Sequence, residues 1–167
     1  FSLWIDPDLG SPRDLMGCDT LNDIFFCYND SVPDRYFGIS PPAVGFKYIH
    51  GMVTPSPGDT AIFDGSLIPD YKNLGMTSFM NYFAGTDPHS PIQTYNNLQG
   101  IRNMPQEDNG TNYMDPGDPV FGTGDLDHAA DDRSGMASCG PVTFNPGDSQ
   151  YVLVKLSVGA GSDNLSS

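Results

Sequence analysis

Glutamate is almost missing from this chain. Of 21 acidic residues in 167, only Glu107 is glutamate; the other 20 are aspartate. Basic residues are scarce too, and 7 Lys and Arg leave a formal net charge of −14. So little positive charge excludes phosphate backbones, and nucleic acid with them, as a natural partner. It also disfavours anionic membrane surfaces. No apolar run approaches the roughly 20 residues that cross a bilayer, so no membrane span is expected. Cysteine is limited to Cys18, Cys27 and Cys139, and histidine to His50, His89 and His128. Without a Cys-x-x-Cys pair, zinc ribbons and dithiol redox motifs drop out. There is no Gly-x-Ser-x-Gly elbow, His-Glu-x-x-His helix or phosphate loop. Ser138-Cys139-Gly140 lacks a legible base, and a buried or disulfide-bonded cysteine is the commoner reading. No catalytic residue and no organic-cofactor site is expected.

What is present is turn chemistry. Gly (19) and Pro (15) make up about a fifth of the chain, a density that forbids long helices and favours short strands joined by turns. Aromatics at 11% provide a core and set the chain apart from a disordered one. The length suits one domain, residues 1–167. The chain opens at Phe1-Ser-Leu-Trp as if inside a strand, which suggests a piece of a longer protein with any export signal upstream.

Strands are expected at 1–5, at Ile24-Phe-Phe-Cys-Tyr and at 43–50. Residues 76–83 read as strand on β-propensity. Residues 141–148 read as a strand and tight turn, and 150–159 as a strand with Val152, Val154, Leu156 and Val158 facing the core. A short helix fits 94–101, with Tyr95, Leu98 and Ile101 on one face and Gly100 at its end. Residues 51–61 and 64–75 read as irregular with a turn at Asp64-Gly65. Residues 6–20 read as an acidic loop, and 103–135 as a long structureless stretch that needs a reason to be ordered.

Aspartate concentrates in two of these stretches. The first holds Asp6, Asp8, Asp14 and Asp19. The second holds Asp115, Asp118, Asp125, Asp127, Asp131 and Asp132. A short carboxylate near the main chain, among loop carbonyls, is the donor set of calcium, which takes six to eight oxygens. Crowded carboxylates also repel unless a cation offsets them. The expected metal ligands are therefore Asp6, Asp8, Asp14, Asp19, Asp118, Asp125, Asp127, Asp131 and Asp132, with calcium as the cofactor. The competing reading is ordinary turn chemistry on a solvated surface, with Arg133 pairing one aspartate and holding its loop without metal. His128 beside Asp127 is the only local histidine–carboxylate pair.

Aromatics gather at Tyr28, Tyr36, Phe37, Phe46 and Tyr48, and at Phe79, Tyr82 and Phe83. They read as core. Exposed in one flat patch, they would instead form a carbohydrate platform. Triplets for N-glycosylation occur at Asn29, Asn109 and Asn164. Cys18 and Cys27 are near enough in sequence to close a small loop, and an odd count leaves one thiol over.

A set of phrases then recurs in order: Asp6-Pro-Asp-Leu-Gly, Gly17-Cys-Asp-Thr, Cys27-Tyr-Asn, Pro41-Pro-Ala-Val-Gly-Phe, Tyr95-Asn-Asn-Leu-Gln-Gly-Ile, Pro116-Gly-Asp-Pro-Val-Phe-Gly-Thr-Gly, Asp131-Asp-Arg and Gly140-Pro-Val-Thr-Phe-Asn-Pro-Gly-Asp-Ser-Gln. Together they resemble an uncharacterised segment of large secreted bacterial surface proteins, many of which carry a type IX secretion sorting domain. The resemblance spans nearly the whole chain. It implies export and a place among the domains of a surface or released protein, and it brings no catalytic residues. Asp125 departs from a bulky residue in that pattern and Cys139 from a serine. Oxidising surroundings then imply a Cys18–Cys27 disulfide, with Cys139 left outside it.

The reading is an all-β or β-rich domain: sandwich-like antiparallel sheets with long ordered loops and one short helix. Its function is that of a non-catalytic, calcium-stabilised module for structure, adhesion or assembly in a secreted or cell-surface protein. Partners are neighbouring domains of the same parent, a protein or glycan ligand, or further copies of itself. The alternative is a carbohydrate-binding or carbohydrate-active module.

Overall fold

A computed structural model describes residues 1–102 and 110–167. The strands are β1 (Ser2–Ile5), β2 (Asp14–Asp19), β3 (Ile24–Asn29), β4 (Ala43–His50), β5 (Val53–Phe63), β6 (Ser66–Asn73), β7 (Ser78–Phe83), β8 (Arg133–Ser138) and β9 (Leu153–Gly159), with one helix, α1 (Pro91–Leu98). They form three antiparallel sheets, ordered β1-β8-β7, β2-β3-β4-β9 and β5-β6. The β-rich expectation with one short helix is met. No described helix is long and apolar enough to cross a membrane.

The first two sheets share one core. Ile5, Phe79 and Ala137 from the three-stranded sheet meet Met16, Cys18, Phe25, Cys27, Val44 and Tyr48 from the four-stranded one. Phe25 stacks on Phe46 with centroids 5.2 Å apart and leans on Tyr48 and Phe79. Burying such side chains is worth about 1.5–3 kcal/mol each. The aromatics therefore build the interior that a leucine-poor chain needs. Close approach depends on Gly135 in β8, where a Cβ would come within 2.8 Å of Met16 Cε and 3.3 Å of Phe79. On the outer side of the three-stranded sheet, Met80, Tyr82 and Met136 pack with Leu98 and Met114.

Several expectations are corrected. Beside the two sheets that face each other across this core, β5 and β6 make a separate two-stranded ribbon that was not expected. The residues read as irregular at 51–61 and 64–75 are largely these two strands. Pro55, Pro57 and Pro69 obscured them, yet proline is tolerated where a strand has a free edge. The Asp64-Gly65 turn is present, with φ of 46° and 78°, the two positive values a tight hairpin turn requires. Asp14–Asp19, read as loop, is strand β2. Arg133–Ser138, read as the end of a structureless stretch, is β8, the central strand of its sheet and buried throughout. Its small residues lack a period-2 signal because both faces are covered. The strand expected at 141–148 is absent, and only the turn remains, closed by Asn145 N donating to Asp148. The helix starts three residues earlier than expected, at Pro91, capped by the Ser90 hydroxyl, which accepts from Gln93 N.

The last strand is β9, but its inner face is only partly covered. Val152 and Val154 pack against the core, while Leu156 and Val158 are 58% and 68% exposed. Among the described residues β9 pairs with β4 alone.

Candidate functional site

At one end of the shared core, strand ends from both sheets bring carboxylates together. β1 runs out at Ile5, opposite Gly135, so Asp6 leaves the sheet near Asp132 at the entrance to β8. β2 begins at Asp14, whose N–H donates to the Asp131 carbonyl at 2.9 Å and whose carbonyl accepts from Asp131 N at 3.2 Å. Asp87, after β7, accepts from the Ser134 hydroxyl at 2.8 Å. The loop between β1 and β2 is fixed by Asp34, which accepts from Ser11 N at 2.6 Å, Tyr36 N at 2.6 Å and Phe37 N at 2.8 Å. Gly10, at φ +103°, makes room for that carboxylate, which a Cβ would meet at 2.6 Å.

Asp14 is the buried member of this rim. It is 1% exposed and faces inward with Met16 and Cys18, because side chains two apart share a face of a strand. Its Oδ1 has no hydrogen-bond partner. Burial, then the charges of Asp132, Asp8, Asp34 and Asp6, push its pKa up to about 7. Slight burial, then Asp132, Asp8 and Asp87, raise that of Asp6. Directly opposite Asp14 in the β2–β3 register is Asn29, also 1% exposed, and its Oδ1 is unpartnered as well. Its Nδ2 donates to the Ser11 carbonyl at 3.3 Å.

The second acidic stretch is built differently. Asp127 and Arg133 form a buried ion pair at 2.5 Å. Asp127 also accepts from Met16 N at 3.1 Å, Asn81 Nδ2 at 3.0 Å and Ala129 N at 3.2 Å. Arg133 donates to the Ala129 carbonyl at 2.6 Å and lies 3.6 Å over the Phe83 ring. Asn81 reaches on to Asp115 at 2.9 Å, whose pKa is raised by burial. This clasp ties the loop to the core, and the pairing of Arg133 with one of these aspartates is the one anticipated.

The other expected ligands lie apart. Asp19, at the far end of β2, caps a turn through Leu21 N at 2.9 Å and Asn22 N at 3.1 Å. Asp118 does the same for Val120 N and Phe121 N. Asp131 accepts from Asp132 N at 2.9 Å, and Asp125 is exposed. Among the described residues no three His, Cys, Asp or Glu side chains are gathered to hold an ion. The charges of Asp6 and Asp8 of one stretch and Asp132 of the other instead act together on Asp14. Sequence reasoning missed Asn29, Asn81 and Asp87. Asn81 carried a signal, an amide inside the otherwise apolar Ser78–Phe83 strand, where a buried polar group needs partners.

The expected Cys18–Cys27 disulfide is not formed; all three cysteines are free and buried. Register explains it. Cys18 pairs with Phe25 and Cys27 with Met16, so the two thiols are diagonal neighbours. Such Cβ atoms lie about 7 Å apart, whereas a disulfide needs about 4 Å. Burial pushes the Cys18 thiol up to about 12, with Asp115 and Asp19 adding to it. Cys139 is a third unpaired, buried thiol. Its Sγ accepts from Met52 N at 3.2 Å and lies 3.5 Å from the Leu74 carbonyl.

Of the aromatics named for a sugar platform, Tyr28, Tyr48, Phe79 and Tyr82 are buried, while Tyr36, Phe37 and Phe83 are exposed. Asn29 is inaccessible to glycosylation in the folded chain, and Asn109, like Glu107, lies outside the described residues. Comparison with protein-family models, characterised proteins and solved structures returns no match.

Proposed function

We propose that this chain is a non-catalytic structural module of a secreted or cell-surface protein, stabilised by calcium and serving as a spacer, adhesive or assembly unit beside other domains of its parent. The observation that carries the reading is the use to which carboxylates are put. Asp127 is fully engaged in tying a long loop to the core through Arg133 and Asn81. Asp19, Asp34, Asp118 and Asp163 each cap backbone N–H groups. These contacts maintain shape and leave the carboxylates no free hand for proton transfer. The exception is the rim around Asp14, where like charges meet without a basic partner, and there a cation would stabilise the fold.

Thermal unfolding tests the reading. An ion that binds only the folded chain raises its stability by mass action. The melting temperature should fall in excess chelator and return with calcium but not with magnesium. An unchanged melting temperature removes calcium from the proposal, and turnover of glycosidic, ester or peptide substrates would replace the structural role with an enzymatic one.

A further inference from the structure

We infer that Asp14 Oδ1 and Asn29 Oδ1 are the inner ligands of a calcium site, closed from outside by the carboxylates of Asp6, Asp8 and Asp132. The inference rests on the calcium-stabilised reading above and gives it an address.

The two oxygens carry the argument. Both belong to side chains 1% exposed, and both lack a hydrogen-bond partner. A buried acceptor left unpaired costs about 1–3 kcal/mol, and more when it is charged. The two side chains that carry them are neighbours, because Asp14 and Asn29 are register partners on adjacent strands and such pairs point to the same face. A hard cation relieves both at once, since calcium accepts carboxylate and amide oxygens in the same sphere and completes its shell with main-chain carbonyls and water. A site with one carboxylate and one amide at its heart also needs no prior gathering of three acidic side chains.

The surroundings match a cation. The largest charges acting on Asp14 are all aspartates: Asp132, Asp8, Asp34 and Asp6. Nearby arginines are committed elsewhere, Arg133 to Asp127 and Arg13 to Asp30. Asp6, Asp8 and Asp132 are exposed and free to turn toward the opening. Oxygens on flexible loops suit calcium better than magnesium, which demands near-ideal octahedral geometry and sheds water reluctantly. The Asp14–Asp131 backbone pairing keeps the loop bearing Asp132 beside β2. Such a site would pin the 6–11 loop, the entrance to β8 and the start of β2 to one point.

Terbium is the probe, because it replaces calcium and emits when excited through a nearby indole. Trp4, the only tryptophan, is two residues from Asp6. Terbium should bind once per chain with emission excited through Trp4, and calcium should displace it. Asp14→Asn and Asp132→Asn should each weaken binding about tenfold or more, the scale seen even for groups one shell beyond a metal. Asp118→Asn should leave it unchanged. Asp14→Asn also removes a buried repulsion, so without metal it should melt no lower than the parent while losing the rise on adding calcium. If calcium raises the melting temperature of Asp14→Asn as much as that of the parent, the site lies elsewhere and this inference falls, while the calcium-stabilised reading stands. If calcium moves neither protein and terbium does not bind, both fall.

Discussion

Asp127 and Arg133 are six residues apart and form an ion pair at 2.5 Å, with side chains only 4% and 2% exposed. A pair so deeply placed is supported by Met16 N, Asn81, Ala129 and the Phe83 ring, while Arg133 Nε is left without a hydrogen-bond partner. Breaking a buried pair by removing one partner strands the other charge and costs about 3–5 kcal/mol. Arg133→Met and Asp127→Asn should each lower the free energy of unfolding by that amount in chemical denaturation. The double variant should lose much less than the sum, because neither charge is then left alone. Additive losses would show that the two act separately.

Asp34 provides a pH handle. Burial raises its pKa, but hydrogen bonds from Ser11, Phe37 and Tyr36 more than reverse this and hold the group well below the usual carboxylate range. With a folded pKa below the unfolded value of about 3.9, its contribution is present above that value and lost as pH falls through the folded pKa. Stability should therefore decline below about pH 4. Asp34→Ala should have a lower melting temperature at neutral pH and a shallower acid limb, measured by melting across pH 2 to 7. An unaltered acid limb would assign the acid sensitivity to other groups.

The edge strand shows what periodicity reveals and what it hides. Alternation at 150–159 correctly marks a strand and its inward face, yet it carries no information on how wide the opposing sheet is. Leu156 and Val158 face solvent beside a core-packed Val154. Leu156→Asp should then cost no more than about 0.5 kcal/mol, whereas Phe25→Ala at the centre should cost about 3–5 kcal/mol. A large loss at Leu156 would mean that another surface covers β9.

The acidic rim was half legible for a related reason. Composition pointed to aspartate and to cations, and Asp6, Asp8, Asp14 and Asp132 were all among the expected ligands. Grouping them by sequence stretch was misleading, because β1, β2 and β8 bring residues from both stretches to one end of the core. Asn29 gave no signal, since an amide at a strand end looks like any turn residue until its register partner is known. β8 was hidden by its own burial: a central strand of Ser, Gly, Met and Ala shows neither alternation nor bulk, and Gly135 is there to admit Met16 and Phe79.

The cysteines carry the last prediction. Cys18 and Cys27 lie in the core with relative exposures of 0%, each opposite a different neighbour in the β2–β3 register. Oxidising conditions alone cannot join them, because the strands would have to slip by two residues and turn the ladder out of register. Burial raises all three thiols above the ordinary range, which leaves little reactive thiolate near neutral pH. The native protein should resist alkylation at all three positions under non-reducing conditions. Unfolding in denaturant without reductant should release three thiols per chain, read by mass after alkylation. Recovery of one reactive thiol and a Cys18–Cys27 cross-link would overturn the register assigned to β2 and β3.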